Sequence, residues 1–210
     1  MLLKRSAMKL KLSSQQIKLM RFGLTRLYCR YFVFLSVLWY TITMRFTKIP
    51  SKRVRYYRNS VEIANDMGWG KRYKKDPLNG KLDYLAHPSR LAKNIEDRAP
   101  FGDCDDHAIY WCVALLKNKL AERAWFCFYS MERDNGDTSA HAICVFQDEE
   151  DMFYWCDYHL PVFLDEYRDK WAYRSAETFG AQPYAAVMIE VKKVLEDDTP
   201  VFGEITVLGL

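Results

Sequence analysis

The first 61 residues contain no aspartate or glutamate, yet they carry 14 lysines and arginines. Residues 62–210 hold 17 basic and 27 acidic side chains, a formal −10, so the overall charge of +4 describes neither part. A uniformly basic nucleic-acid module is therefore excluded. The six cysteines include no C-x-x-C pair, and the four histidines make no paired short spacing with them. That absence argues against structural zinc, including a set drawn from Cys104, His107, His141 and His159. No internal repeat or low-complexity tract is present, and composition excludes a collagen or a coiled coil. What is present is apolar: half of the residues are hydrophobic and 15% aromatic, enough for a packed core.

No long apolar run occurs either. Tyr31 to Met44 is 14 uncharged residues between Arg30 and Arg45, shorter than the ~20 that a membrane span takes. Residues 1–46 read as a basic, apolar N-terminal extension and residues 47–210 as the domain. The extension is compatible with a membrane-associated helix over residues 24–46, an ordinary docking helix, an Arg-rich presequence, or a segment preceding a start at Met44. As a partner surface it suits an anionic membrane or a nucleic acid. Cys104, Cys112, Cys127, Cys144 and Cys156 lie in a chain too long to need staples, so a reducing, cytoplasmic setting is favoured.

Val61–Met67 is a short amphipathic stretch closed by Gly68. Asp76–Gly80 and His87-Pro88 read as turns. Apolar residues at 108, 109, 112, 115, 116 and 120 predict a helix over about 104–120. Strands are predicted over Ala124–Met131, Ser139–Phe146 and Met152–Tyr158, the first two joined by an Asp134-Asn-Gly-Asp137 hairpin. Leu164–Glu177 reads as helical, and Ala185–Val191 and Thr206–Leu208 as further strands. The expectation is an α+β domain, a helix packed on an antiparallel sheet.

The chemistry concentrates at Gly102-Asp-Cys-Asp-Asp-His-Ala108, where loop becomes helix. Asp103 suits the N-cap, which sets Cys104 at the positive end of the helix dipole and favours its thiolate. Its acidic neighbours oppose the thiolate, so an imidazolium or a bound cation is needed to offset them. His141 lies on the second predicted strand and Asp157 ends the third. Adjacent antiparallel strands can set these two side by side, with the thiol at the other imidazole nitrogen: nucleophile, base and orienter. Since His141 and Cys144 are three residues apart, they point to opposite faces. His107 reads as a surface residue and His87 as a turn residue.

In that order, Gly-Asp-Cys-Asp-Asp with Ala108, Ala-His-Ala-aliphatic at 140–143 and aromatic-x-Asp at 155–157 resemble the transglutaminase-like superfamily. The nearer likeness is to the bacterial transglutaminase-like cysteine proteinases and their short phage-encoded relatives, over residues 76–160. The resemblance implies a papain-like fold with Cys104 as nucleophile, His141 as general base and acid, and Asp157 as orienter. It implies calcium ligands at Asp103 and Asp105, and an oxyanion role for an upstream tryptophan, here Trp69. Asp105, Ile143 and Tyr158 depart from the family's usual residues and leave the substrate pocket undetermined. The function expected is thiol-dependent hydrolysis of amide bonds in a protein or peptide. The alternative is a noncatalytic module of the same fold, for binding or structure, within a phage particle for example.

Overall fold

The computed structural model describes residues 34–49, 52–69, 71–75, 84–164 and 170–208. Cys29, the Asp76–Gly80 turn and the extension before residue 34 lie outside the described residues. Helix α1 covers residues 34–47 and runs through the 46/47 boundary; Val37, Tyr40 and Met44 pack it against the core. Then follow α2 (Ser60–Met67), α3 (Pro88–Glu96), α4 (Cys104–Lys117), β1 (Arg123–Arg133), β2 (Thr138–Gln147), β3 (Phe153–Cys156), β4 (Val162–Leu164), α5 (Trp171–Glu177), β5 (Ala181–Val194) and β6 (Pro200–Leu208). The six strands form one antiparallel sheet in the order β4-β3-β2-β1-β5-β6. The class is α+β.

Helix α2 begins where the Asn59 side chain accepts the Glu62 N–H at 3.0 Å and ends at Gly68, whose φ of 75° gives the left-handed cap. Helix α4 is the centre of the domain. Every residue from Asp105 to Leu115 is buried, so it is covered all round rather than on one stripe. Alternation along the strands divides the sheet into two faces. Ala124, Phe126, Ala142, Cys144, Phe146 and Ile189 join α4 in the larger core. Trp125, Cys127, Tyr129, Ile143, Val145 and Met188 face α5 in a second cluster. Each large apolar side chain removed from water in this way contributes about 1.5–3 kcal/mol.

The β1–β2 hairpin closes as its sequence predicts. The Gly136 N–H donates to the Arg133 carbonyl at 2.8 Å, and Asn135 Oδ1 accepts the Asp137 N–H at 3.0 Å. Cys112 Sγ and Cys144 Sγ meet at 3.4 Å, Cys156 is the cross-strand partner of Cys144, and burial pushes all three thiols up. The described cysteines are free thiols, and these three are inert core.

Two expectations are corrected. His87-Pro88 is not a bare turn: His87 caps α3, its Nδ1 accepting the Ser89 N–H at 3.1 Å, with Pro88 at the first helical position. The segment 164–177 does not begin as a helix: Leu164 ends β4 against Phe153, residues 165–169 lie outside the described residues, and α5 covers Trp171–Glu177. Among the described residues no helix is long and apolar enough to cross a membrane.

Candidate active site

Cys104 is the first residue of α4 and is half-buried. Asp103 occupies the N-cap with extended backbone, but its side chain makes no capping bond; its carbonyl takes the His107 N–H at 3.1 Å. The thiol therefore sits where the unsatisfied N–H groups and the positive end of the helix dipole converge. Gly102 is fixed from behind, since its carbonyl accepts the Lys74 N–H while the Phe101 N–H donates to Arg72, both at 2.8 Å.

His141 and Asp157 are brought together. Nε2 of His141 lies 2.6 Å from Oδ2 of Asp157, with His141 7% and Asp157 4% exposed. Strand β3 stops at Cys156, opposite Cys144, so residues 138–143 of β2 have no strand on that side. Asp157 turns into this gap. Its main-chain carbonyl accepts the Trp111 indole N–H at 2.8 Å. Trp111 is seven residues after Cys104 and so on the same stripe of α4. One helix thus carries the thiol and ties down the backbone of the residue that orients the imidazole.

Tyr158 connects the two halves. Its ring lies 5.8 Å from His141 and 4.8 Å from His107, one turn along α4 from Cys104. Burial, and then the charges of Cys104 and Asp157, push its phenol above the ordinary value, so the hydroxyl remains a donor. Phe179 closes on the imidazole from the α5 side at 4.9 Å and Tyr129 at 5.9 Å, and the Tyr129 hydroxyl is held by Ser175 at 2.7 Å. With Nε2–H directed at the carboxylate, the neutral imidazole keeps its lone pair on Nδ1, the nitrogen that can receive a proton from a thiol.

His107 is not a surface residue. It is fully buried between Phe101 and Tyr158, neither ring nitrogen has a hydrogen-bond partner, and burial lowers its pKa to about 3. The polar look of Asp-Asp-His concealed this, because the covering rings come from segments distant in sequence.

The three carboxylates beside the thiol have different roles. Asp106 Oδ1 accepts the Ala86 N–H at 2.8 Å, and Asp105 Oδ1 accepts the Asp106 N–H at 2.9 Å. Oxygens of Asp103, Asp105 and Asp106 lie within 4.8 Å of one another, and Asp103 Oδ1 and Asp105 Oδ2 are buried without a partner. Desolvation, a hydrogen bond with Asp103 and the charge of Asp106 push the Asp105 carboxyl well above the usual carboxylate range. Its neutral form relieves the repulsion on a thiolate without a metal. The same hard oxygen donors would suit a calcium ion, which favours carboxylates. Trp69 sits at the exit of α2, with its indole N–H donated to Asn65 Oδ1 at 2.8 Å. That bond directs it to its own helix, whereas the Cys104 N–H is placed at the thiol by the helix itself.

Gly102 has no space for a side chain. A Cβ there would lie 2.5 Å from the Asp106 Cβ and 2.7 Å from its Cγ, at a φ of +154°. Gly102→Ala is expected to displace the buried Asp106, release Ala86 and shift the start of α4, costing about 3–5 kcal/mol. Urea unfolding checks this, and a loss under 1 kcal/mol would show that the loop gives way freely. Compared against protein families and against curated proteins, the chain matches none.

Proposed function

We propose that the protein is a thiol-dependent hydrolase of peptide amide bonds, with a papain-like, transglutaminase-like fold. The observation that carries this reading is the buried 2.6 Å hydrogen bond between His141 and Asp157, alongside the N-terminus of the helix that opens with Cys104. Asp157 holds the proton on Nε2, so Nδ1 accepts the Cys104 proton and the imidazolium is stabilised by the carboxylate. Sγ then attacks the carbonyl carbon, and the oxyanion forms beside the Cys104 N–H and the helix dipole. As the tetrahedral species collapses, the C–N bond breaks and His141 gives its proton to the leaving amine. Water, deprotonated by His141, attacks the thioester, and the thiol is restored. A calcium ion bound by Asp103 and Asp105 would supply positive charge beside the thiolate.

Iodoacetamide labelling across pH, with and without calcium and with the modified cysteine mapped by mass spectrometry, tests the proposal. Cys104 is expected to label rapidly below pH 7 and to lose that reactivity in His141→Ala, while buried Cys112, Cys144 and Cys156 stay unlabelled. Faster labelling with calcium, abolished in Asp103→Asn, would assign the ion. Labelling no faster than a free thiol, which has a pKa near 8.5, would reject the hydrolase and leave the noncatalytic module.

A further inference from the structure

Helix α1 has two faces. Tyr40 and Met44 pack on the core, Tyr40 against Phe126 at 6.0 Å between ring centroids, and Thr43 Oγ1 accepts the Leu85 N–H at 3.2 Å. The opposite face carries Phe34, Leu35, Leu38, Trp39, Ile42 and Phe46, all exposed, Phe46 by 85%. At 100° per residue these six fall within an arc of about 140°. A stripe of that size and continuity on one helix marks an interaction surface rather than scattered exposure.

The stripe ends at a cavity. Phe46, Thr47 and Lys48 at the C-terminus of α1 form part of the lining of a cavity of about 620 Å³, together with Lys74, Lys75 and Arg90. Lys48 is engaged by Asp197, but Lys74, Lys75 and Arg90 form no ion pair with a described residue. The one acid among the described lining residues, Asp106, has Oδ1 occupied by the Ala86 N–H. Residues 1–33 add eight lysines and arginines and no acid. An apolar stripe with three aromatic side chains, bounded by a cationic cavity, complements a bilayer of negative surface charge. Acyl chains take the stripe and headgroup phosphates the cations. A nucleic acid would use the charge and leave the stripe uncovered.

We infer that α1 lies flat on an anionic lipid surface, its apolar stripe in the acyl boundary and a lipid phosphate in the Lys74–Lys75–Arg90 cavity. The arrangement is monotopic, since α1 within the described residues is too short to span. It sets the cavity wall formed by Phe101, Gly102 and Asp106, beside the start of α4, against the membrane.

The full chain is tested by co-sedimentation with vesicles of phosphatidylcholine alone and of phosphatidylcholine mixed with phosphatidylglycerol, at low and high salt. Binding is expected to the mixed vesicles and to weaken with salt. Replacing Lys74, Lys75 and Arg90 with Gln should lower partitioning roughly a hundredfold, at about fivefold per cation. Leu38→Glu with Trp39→Glu should abolish it. These side chains are exposed, so an unchanged thermal midpoint shows that each variant folds. Equal binding to uncharged vesicles, or full binding by the stripe variant, overturns the inference. So does self-association that the stripe variant removes without any vesicle binding, which would make a second copy the occupant. Stabilisation by inorganic phosphate alone, or binding to an oligonucleotide, in the absence of vesicle binding overturns it too.

Discussion

Asp157→Asn is expected to raise the pH at which Cys104 is alkylated to that of a free thiol, and to lower the labelling rate at pH 6 by roughly a hundredfold. Asp157 is 4% exposed and its Oδ2 faces the imidazole Nε2 at 2.6 Å. An asparagine amide in that place donates to Nε2 and forces the proton onto Nδ1, the wrong tautomer for accepting one from sulfur. It also removes the charge that stabilises the imidazolium. With a peptide substrate, turnover should fall by about three to four orders of magnitude, the scale seen when this orienter is neutralised in a hydrolytic triad. Trp111→Phe separates orientation from chemistry. It leaves the carboxylate but frees the Asp157 carbonyl from its 2.8 Å hydrogen bond, so labelling should slow by less than in Asp157→Asn with its pH dependence little moved. Identical labelling profiles for wild type and Asp157→Asn would show that the carboxylate does not act on the thiol.

Much of this site was legible in the sequence, for reasons that differ by element. The start of α4 was fixed by an acid before an apolar 3.6-residue pattern, and Cys104 does occupy its first position. The hairpin was legible in Asn-Gly, the second strand in its alternation and its neighbours in their aromatic density, but Asp157 reaches His141 from beyond β3, which ends at Cys156, and not as a residue of that strand. What escaped depends on distant segments. Helix α3 has only Leu91 fully buried among its large apolar residues and begins with a histidine, an uncommon cap that works because its Nε2 meets Thr199, 112 residues later. Burial of His107 depends on Phe101 and Tyr158 closing over it. The tie from Trp111 to Asp157 spans 46 residues and is visible only as a tryptophan on the Cys104 stripe. Strand β4 was masked because three residues carry too little pattern to be told from the start of a helix.

Buried His87 and His107 should make the fold sensitive to mild acid, with Asp105 acting against them. Burial lowers His87 to about 4 and His107 to about 3, against 6.5 when unfolded. Between pH 6.5 and 4.5 the unfolded chain therefore binds two protons that the folded chain refuses, and stability falls as pH falls. At 1.36 kcal/mol per pH unit for each group, the two would remove about 5 kcal/mol over that interval, comparable with the whole stability of a small domain. The raised carboxyl of Asp105 has the opposite sign. The folded state takes up that proton first, so stability is gained as pH falls through its folded pKa towards 3.8. It offsets part of the loss due to the histidines. Urea unfolding at stepped pH, followed through the buried Trp111 and Trp171, reads these contributions separately. His107→Leu, which removes the titration and the two unpartnered nitrogens, should flatten the profile. His87→Asn, which keeps an acceptor at the α3 cap, should flatten it by a similar amount. Asp105→Asn should instead steepen the acid loss while leaving the protein at pH 7 as stable as wild type or more so. A wild-type profile level from pH 7 to 4.5, unaltered by His107→Leu, would mean that the core admits the protonated imidazole and that its closure over His107 is looser than the ring contacts require.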